Sequence, residues 1–112
     1  MRRMTLDPRH DALDQAIRDA LEELRGVLTK LGYSSYVWVI DHLQNALVED
    51  RETFYRSVNG GGVWRNMGSI ADLGDRQIHQ ALVKLAGALD AAHLASKETL
   101  ADAEMYKEWL AR

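Results

Sequence analysis

The stretch LDQAIRDALEELRGVLTKLG (Leu13–Gly32) decides the fold class. Leu13, Ile17, Ala20, Leu21, Leu24, Val27, Leu28 and Leu31 recur three and four residues apart, which draws one apolar stripe along a helix. Upstream, Asp7-Pro8 marks a start: the carboxylate can accept from free amide groups, and proline at the first helical position gives up an N–H that had no partner. Gly32 marks the stop, because glycine enters the left-handed region without penalty. The spacing predicts a helix over Pro8–Leu31, preceded by a tail of residues 1–7. Its other face carries Arg9, Asp14, Arg18, Glu22 and Arg25 and reads as solvated.

The same rule works outward from there. A second helix begins near Ser34 or Ser35, with Tyr36, Ile40, Leu43 and Leu47 as its stripe and Val37 and Val48 beside it. Tyr36–Ile40 alone would also suit a short strand, since β-branched and aromatic residues favour strands, but Asp41–Leu47 shows no alternation. The short link to the first helix sets the two side by side and antiparallel. Glu49–Val58 continues this helix or forms a separate short one with Phe54, Tyr55 and Val58. Asp75 can cap a long helix with Ile78, Leu82, Leu85 and Leu89 on one side. Ala81, Ala86, Ala88, Ala91, Ala92 and Ala95 widen its contact surface. Thr99 with Asp102 resembles a capping box for a last helix with Leu100, Ala103, Tyr106 and Leu110 inward; Ser96–Thr99 either breaks or bends the chain. The expectation is an all-α protein: one domain over residues 1–112, a compact antiparallel bundle of four to five helices, with a Gly-rich central loop and short helical turn at residues 59–74.

The totals narrow the function. The 112 residues are 46% hydrophobic and 28% charged, ordinary for a globular chain, with a formal net charge of −3. Lys and Arg are scattered among acids, which argues against a nucleic-acid face. With no cysteine, disulfides, thiolate metal sites and a cysteine nucleophile are excluded. No run approaches the ~18 apolar residues of a membrane span, and no signal-type apolar run follows Met1-Arg2-Arg3. A cytoplasmic protein is expected.

The central segment is NGGGVWRNMGSIADLGD (Asn59–Asp75). Three consecutive glycines suggest backbone angles that side chains forbid, or a backbone that something approaches closely. Val63, Trp64 and Met67 are too apolar for a solvated linker, so they must be buried in the core or in a partner. Ser69 with Asp72 gives a capping pattern. The Lys and Ser/Thr of a phosphate-binding loop are missing, and no strand precedes the glycines. Gly62–Leu73, Gly-Val-Trp-Arg-Asn-Met-Gly-Ser-Ile-Ala-Asp-Leu, resembles the Gly-Gly-Met-Gly-Ser-Leu-Asn-Asp-Leu signature of a family of small bacterial proteins of unknown function. The resemblance covers about Val37–Leu94, and departs from the signature where Trp64-Arg65-Asn66 stands between the glycines and Met67. It implies a bacterial helical protein similar to the immunity proteins found beside toxins, and brings no catalytic assignment.

No two of His10, His42, His79 and His93 stand four residues apart, so no helix carries a two-histidine metal motif. Asp75 and His79 are spaced for a helical ion pair. Ser69, Asp72 and His79 have the residue types of a hydrolytic triad but no nucleophile elbow. Glu49, Asp50 and Glu52 form an acidic cluster at a helix end. Met105, Tyr106 and Trp109 read as core and rim, and Trp38, off the main stripe, as a surface residue. Two functions follow. The first is a protein-binding module, an immunity protein that occludes a toxin, with Trp64, Arg65, Asn66, Met67 and Asp72 as contacts and Glu49, Asp50 and Glu52 as an acidic rim that steers a basic partner. The second is a small-ligand or enzyme site built from Ser69, Asp72, Asp75 and His79. A purely structural subunit would instead be a homo-oligomer, with Trp38 and Trp109 as its contacts. No cofactor or metal is expected.

Overall fold

In the computed structural model, which describes residues 8–112 and side chains from residue 11 onward, the stretch Leu13–Lys30 lies within α1 (Pro8–Lys30). Asp7, the tail of residues 1–7 and the side chains of Arg9 and His10 lie outside the described residues. Ile17, Leu21, Leu24 and Leu28 are fully buried, as their spacing requires. Gly32 ends the helix at φ 87°. Its N–H donates to the Thr29 carbonyl at 3.2 Å, and the Tyr33 N–H donates to that of Leu28 at 2.8 Å, the paired bonds of a Schellman motif.

A 3-10 turn (Ser34–Tyr36) leads into α2 (Val37–Glu49), so Tyr36–Ile40 is not a strand. Ile40, Leu43, Ala46 and Leu47 are buried, while Val48 is exposed. Asp50 then turns to extended backbone (φ −158°, ψ 99°) and caps a separate α3 (Arg51–Val58). α4 (Gly61–Trp64) and a second 3-10 turn (Ala71–Leu73) follow, then α5 (Arg76–Ala91) and α6 (Lys97–Leu110). Among the described residues there are six helices and no strand; the count exceeds four or five because the chain breaks at Asp50 and coils again at Gly61–Trp64. Between α5 and α6 it breaks rather than bends, with His93 at φ 59°. Ser96, not Thr99, caps α6, its Oγ accepting from the Thr99 N–H at 3.1 Å.

Side-chain bonds give the helix directions. Lys30 Nζ donates to Gln77 Oε1 at 2.9 Å and Lys84 Nζ to Glu23 Oε1 at 3.1 Å, so the end of α1 meets the start of α5. Arg25–Asp41 at 2.9 Å and Arg51–Asp14 at 3.0 Å set α2 and the start of α3 back along α1. Arg76 donates to the Leu110 carbonyl at 2.6 Å, which closes α5 against α6. α1 packs chiefly on α5 and α2, and α6 on the other side of α5. The outcome is an all-α antiparallel bundle with the glycine segment filling the space between α3, α5 and α6. None of the described helices is long and apolar enough to cross a membrane.

Candidate functional site

The glycine segment is folded through its backbone. The Asn66 N–H donates to the Gly61 carbonyl at 2.8 Å, Ser69 N–H to Asn66 at 2.9 Å, and Ile70 N–H to Gly62 at 3.1 Å. The left-handed angles do not fall on the three in a row. Gly68 (φ 80°) and Gly74 (φ 73°) hold the left-handed angles, where a Cβ is strained. Within the triplet, a Cβ at Gly61 would run into the Asn66 side chain, and one at Gly60 would sit 3.1 Å from the Ser57 carbonyl oxygen, whereas one at Gly62 would meet open space.

Trp64, first among the expected partner contacts, is fully buried. Its Nε1–H donates to the Val58 carbonyl at 2.6 Å, so the indole's single polar atom is satisfied inside the chain and no surface is left for a partner. This corrects the assignment of Trp64: the apolar residue at this position completes the chain's own core. Arg65 is bound to α6. Its Nε donates to Asp102 Oδ2 at 2.7 Å and its Nη1 to the Asn59 carbonyl at 3.2 Å. Thr99–Asp102 forms no capping box because Thr99 lies inside α6, behind the Ser96 cap, and Asp102 is turned to Arg65. Tyr106 of α6 donates to the Trp64 carbonyl, and burial raises its phenol above the ordinary value. Asn66 and Asp72 are exposed. Met67, 96% exposed, stands at the tip of the turn.

Ser69, Asp72 and His79 do line one cleft, of about 290 Å³, with Arg65 and Tyr106. Their bonds are local. Ser69 Oγ accepts from the Asp72 N–H at 3.1 Å, and Asp72 Oδ2 accepts from the Gly68 N–H at 2.9 Å. This reciprocal pair is a variant of the expected capping pattern. His79 does not pair with Asp75. Its Nε2 lies 3.0 Å from the Ala71 carbonyl oxygen, and its ring stacks on Tyr106, with centroids 4.6 Å apart. Nδ1 is buried, with no partner among the described residues. Asp75 instead caps α5, accepting from the Gln77 N–H at 2.7 Å. Ser69 and His79 are not hydrogen-bonded to each other, so no nucleophile–base relay is formed. Among the described residues no group of acids and histidines is placed to hold a metal ion.

Glu49, Asp50 and Glu52 do not rim the glycine segment. Trp38 and Glu49 are separated by 11 residues of α2, about 17 Å of rise, and the glycine segment follows the far end of α3. The acids sit at one end of the α2–α3 hairpin and the glycines at the other. Asp50 is occupied as a cap, accepting from Thr53 Oγ1 at 2.7 Å and from the Glu52 N–H at 3.2 Å. The Thr53 hydroxyl bond is the main cause holding this carboxyl below its usual value.

A feature the sequence reading missed lies beside the turn. Tyr36, Trp38 and Val39 face Gly62, Val63 and Gly68 across a groove of about 420 Å³. The Tyr36 hydroxyl donates to the Gly68 carbonyl at 3.1 Å, which ties the groove's two walls together. Trp38 is 68% exposed. Its position off the α2 stripe was the one signal in the sequence. The chain matches no protein family, no curated protein and no solved structure. The likeness of Gly62–Leu73 to the small bacterial family rests on the short signature itself.

Proposed function

We propose that this protein is a protein–protein interaction module whose contact element is the turn Arg65–Gly68, and that its partner is a toxin domain which it neutralises by occlusion in the bacterial cytoplasm. One observation carries the reading: Met67 is 96% exposed on a turn whose backbone is bonded at both ends, by Asn66 N–H to Gly61 and Ser69 N–H to Asn66. An unbranched thioether adapts to an irregular partner surface, and a fixed backbone beneath it lowers the entropy lost on binding. Exposed Asn66 and Asp72 flank it, and Asp72 adds negative charge beside the tip, which favours a basic partner. The toxin as partner comes from the signature resemblance.

The test is co-expression with the protein encoded beside this one, followed by calorimetry. Met67→Asp should weaken binding at least about tenfold, the loss expected where an interface anchor is replaced by a charge, with an unchanged melting temperature. Full retention of affinity would remove the turn from the interface.

The shared cleft of Ser69, Asp72 and His79 supports a second, small-ligand reading. A melting-temperature screen against nucleotides, amines and metals tests it. A shift abolished by Ser69→Ala would favour it over the first reading.

A further inference from the structure

We propose that Asn59–Gly60 is a deamidation site which the fold holds shut, so that opening of the link between α5 and α6 marks the chain irreversibly at this pair. Of the three asparagines, Asn45, Asn59 and Asn66, Asn59 alone precedes a glycine. The reaction is an attack of the following backbone nitrogen on the side-chain amide. A residue with a side chain hinders its own nitrogen, and glycine does not. The Gly60 nitrogen gives up its proton and bonds to Asn59 Cγ, the Cγ–Nδ2 bond breaks, and ammonia leaves. Water then opens the succinimide ring at either carbonyl and leaves aspartate or isoaspartate, with no change in oxidation state.

Both partners are held away from that attack. Asn59 Nδ2 donates to the Tyr55 carbonyl at 2.8 Å and to the Leu94 carbonyl at 2.9 Å, so both of its hydrogens are used. Oδ1 accepts from the Ser96 N–H at 2.8 Å. The carboxamide thereby latches the end of α3 to the link that leads from α5 to α6. The nucleophile is engaged too, since the Gly60 N–H donates to the Ser57 carbonyl at 3.1 Å. Swinging Cγ over the Gly60 nitrogen breaks the bonds to Leu94 and Ser96, which requires the link to part from α3.

The fold keeps the reactive pair in place. A Cβ at Gly60 would sit 3.1 Å from the Ser57 carbonyl oxygen, so a residue that would shield the nitrogen is crowded. The reaction's product cannot rebuild the latch. A carboxylate at position 59 can still accept from the Ser96 N–H, but it has no hydrogen for the Tyr55 and Leu94 carbonyls and sets negative charge against them.

Ageing of the full chain at mildly alkaline pH, folded and in urea, tests this, with Asn66 as the internal reference. Asn66 is exposed and precedes Met67. Trypsin places the two in separate peptides, 57–65 and 66–76, whose aspartate and isoaspartate forms are counted by chromatography and mass spectrometry. In urea Asn59 should react ahead of Asn66. In the folded chain the ratio of the Asn59 rate to the Asn66 rate should fall at least about tenfold. Ser96→Ala removes the α6 cap, whose Oγ accepts from the Thr99 N–H, and leaves the Ser96 backbone N–H that holds Asn59. It should raise the folded Asn59 rate about threefold or more and leave the rate in urea unchanged. Asn59→Asp, the product itself, should lower the melting temperature by about 4 °C or more. An Asn59 no faster than Asn66 in urea, a folded ratio equal to that in urea, a Ser96→Ala rate equal to the wild type's, or a melting temperature indifferent to Asn59→Asp overturns the proposal.

Discussion

The α1–α5 pair and the segment 59–74 both end buried, by different physics. Between α1 and α5, leucines and isoleucines at helical spacing meet over long faces, and the backbone satisfies itself within each helix. In the segment the backbone has no long helix to satisfy it. Some of its carbonyls are taken up one by one, Gly68 by the Tyr36 hydroxyl, Trp64 by the Tyr106 hydroxyl and Asn59 by Arg65, while Arg65 pairs with Asp102 and the Trp64 indole N–H reaches back to the Val58 carbonyl of α3. The first region spreads its stability over many equivalent contacts. The second concentrates it in a few residues, and so it is the sharper place to test.

The largest effect should come from comparing two tryptophans. Trp64→Ala empties a fully buried site and should cost about 3–5 kcal/mol, the range for a buried aromatic truncated to alanine. Trp38→Ala, on the surface, should stay within about 0.5 kcal/mol. Urea unfolding measures both. A near-neutral Trp64→Ala would mean that the segment is slack, and that its burial contributes nothing to the fold.

Next come two glycines. Gly68→Ala forces a side chain into left-handed backbone at φ 80° and should cost about 1–2 kcal/mol. Gly62→Ala should be neutral or stabilising by up to about 1 kcal/mol. The opposite signs separate glycine required by the fold from glycine that it merely tolerates.

These pairs also show where the sequence is legible. The α1 stripe could be read because periodicity reports burial directly, and the caps Gly32, Asp75 and the Ser69–Asp72 pair could be read because their chemistry is local. Trp64 could not be placed: composition says that an indole must be buried, not whether the chain or a partner buries it. Three adjacent glycines drew the eye, yet the left-handed angles fall on the isolated Gly68 and Gly74. Arg65–Asp102 joins residues 37 apart, a separation no local pattern encodes, so the sequence alone places Asp102 in a cap of its own helix. The groove was invisible for the same reason, since its walls meet only after α2 and the glycine segment are docked.

A smaller effect belongs to Tyr106, whose hydroxyl ties α6 to the segment. Tyr106→Phe should cost about 0.5–1.5 kcal/mol, the net worth of one hydrogen bond. The same residue gives the alkaline limb a sign. Burial raises the folded phenol above its ordinary value, so the folded state holds its proton longer than the unfolded chain does. That contribution is intact below about pH 10 and is lost as pH climbs through the folded value. In Tyr106→Phe the alkaline loss of stability should flatten.

The smallest expected effect lies at the opposite end of the α2–α3 hairpin and works in acid. Asp50 is held below the ordinary carboxyl range, chiefly by the Thr53 hydroxyl bond. A group depressed in the folded state contributes stability above its unfolded value, about pH 3.9, and loses it as pH falls through the folded one. Thr53→Val removes the main cause, so the Asp50 carboxyl should titrate closer to the ordinary value when followed by carbon NMR. The cap is at the surface and keeps its bonds to the backbone N–H groups, so its weakening should appear as faster amide exchange at Glu52 and at position 53, not as a change in global melting. Phe54 and Val58 anchor the rest of α3 in the core, and the Val58 carbonyl holds Trp64. Exchange from Asn59 to Gly62 should therefore stay slow. If it quickens together with Glu52, α3 and the glycine segment open as one unit, and the few polar ties that distinguish the segment from the α1–α5 pair do not hold it independently.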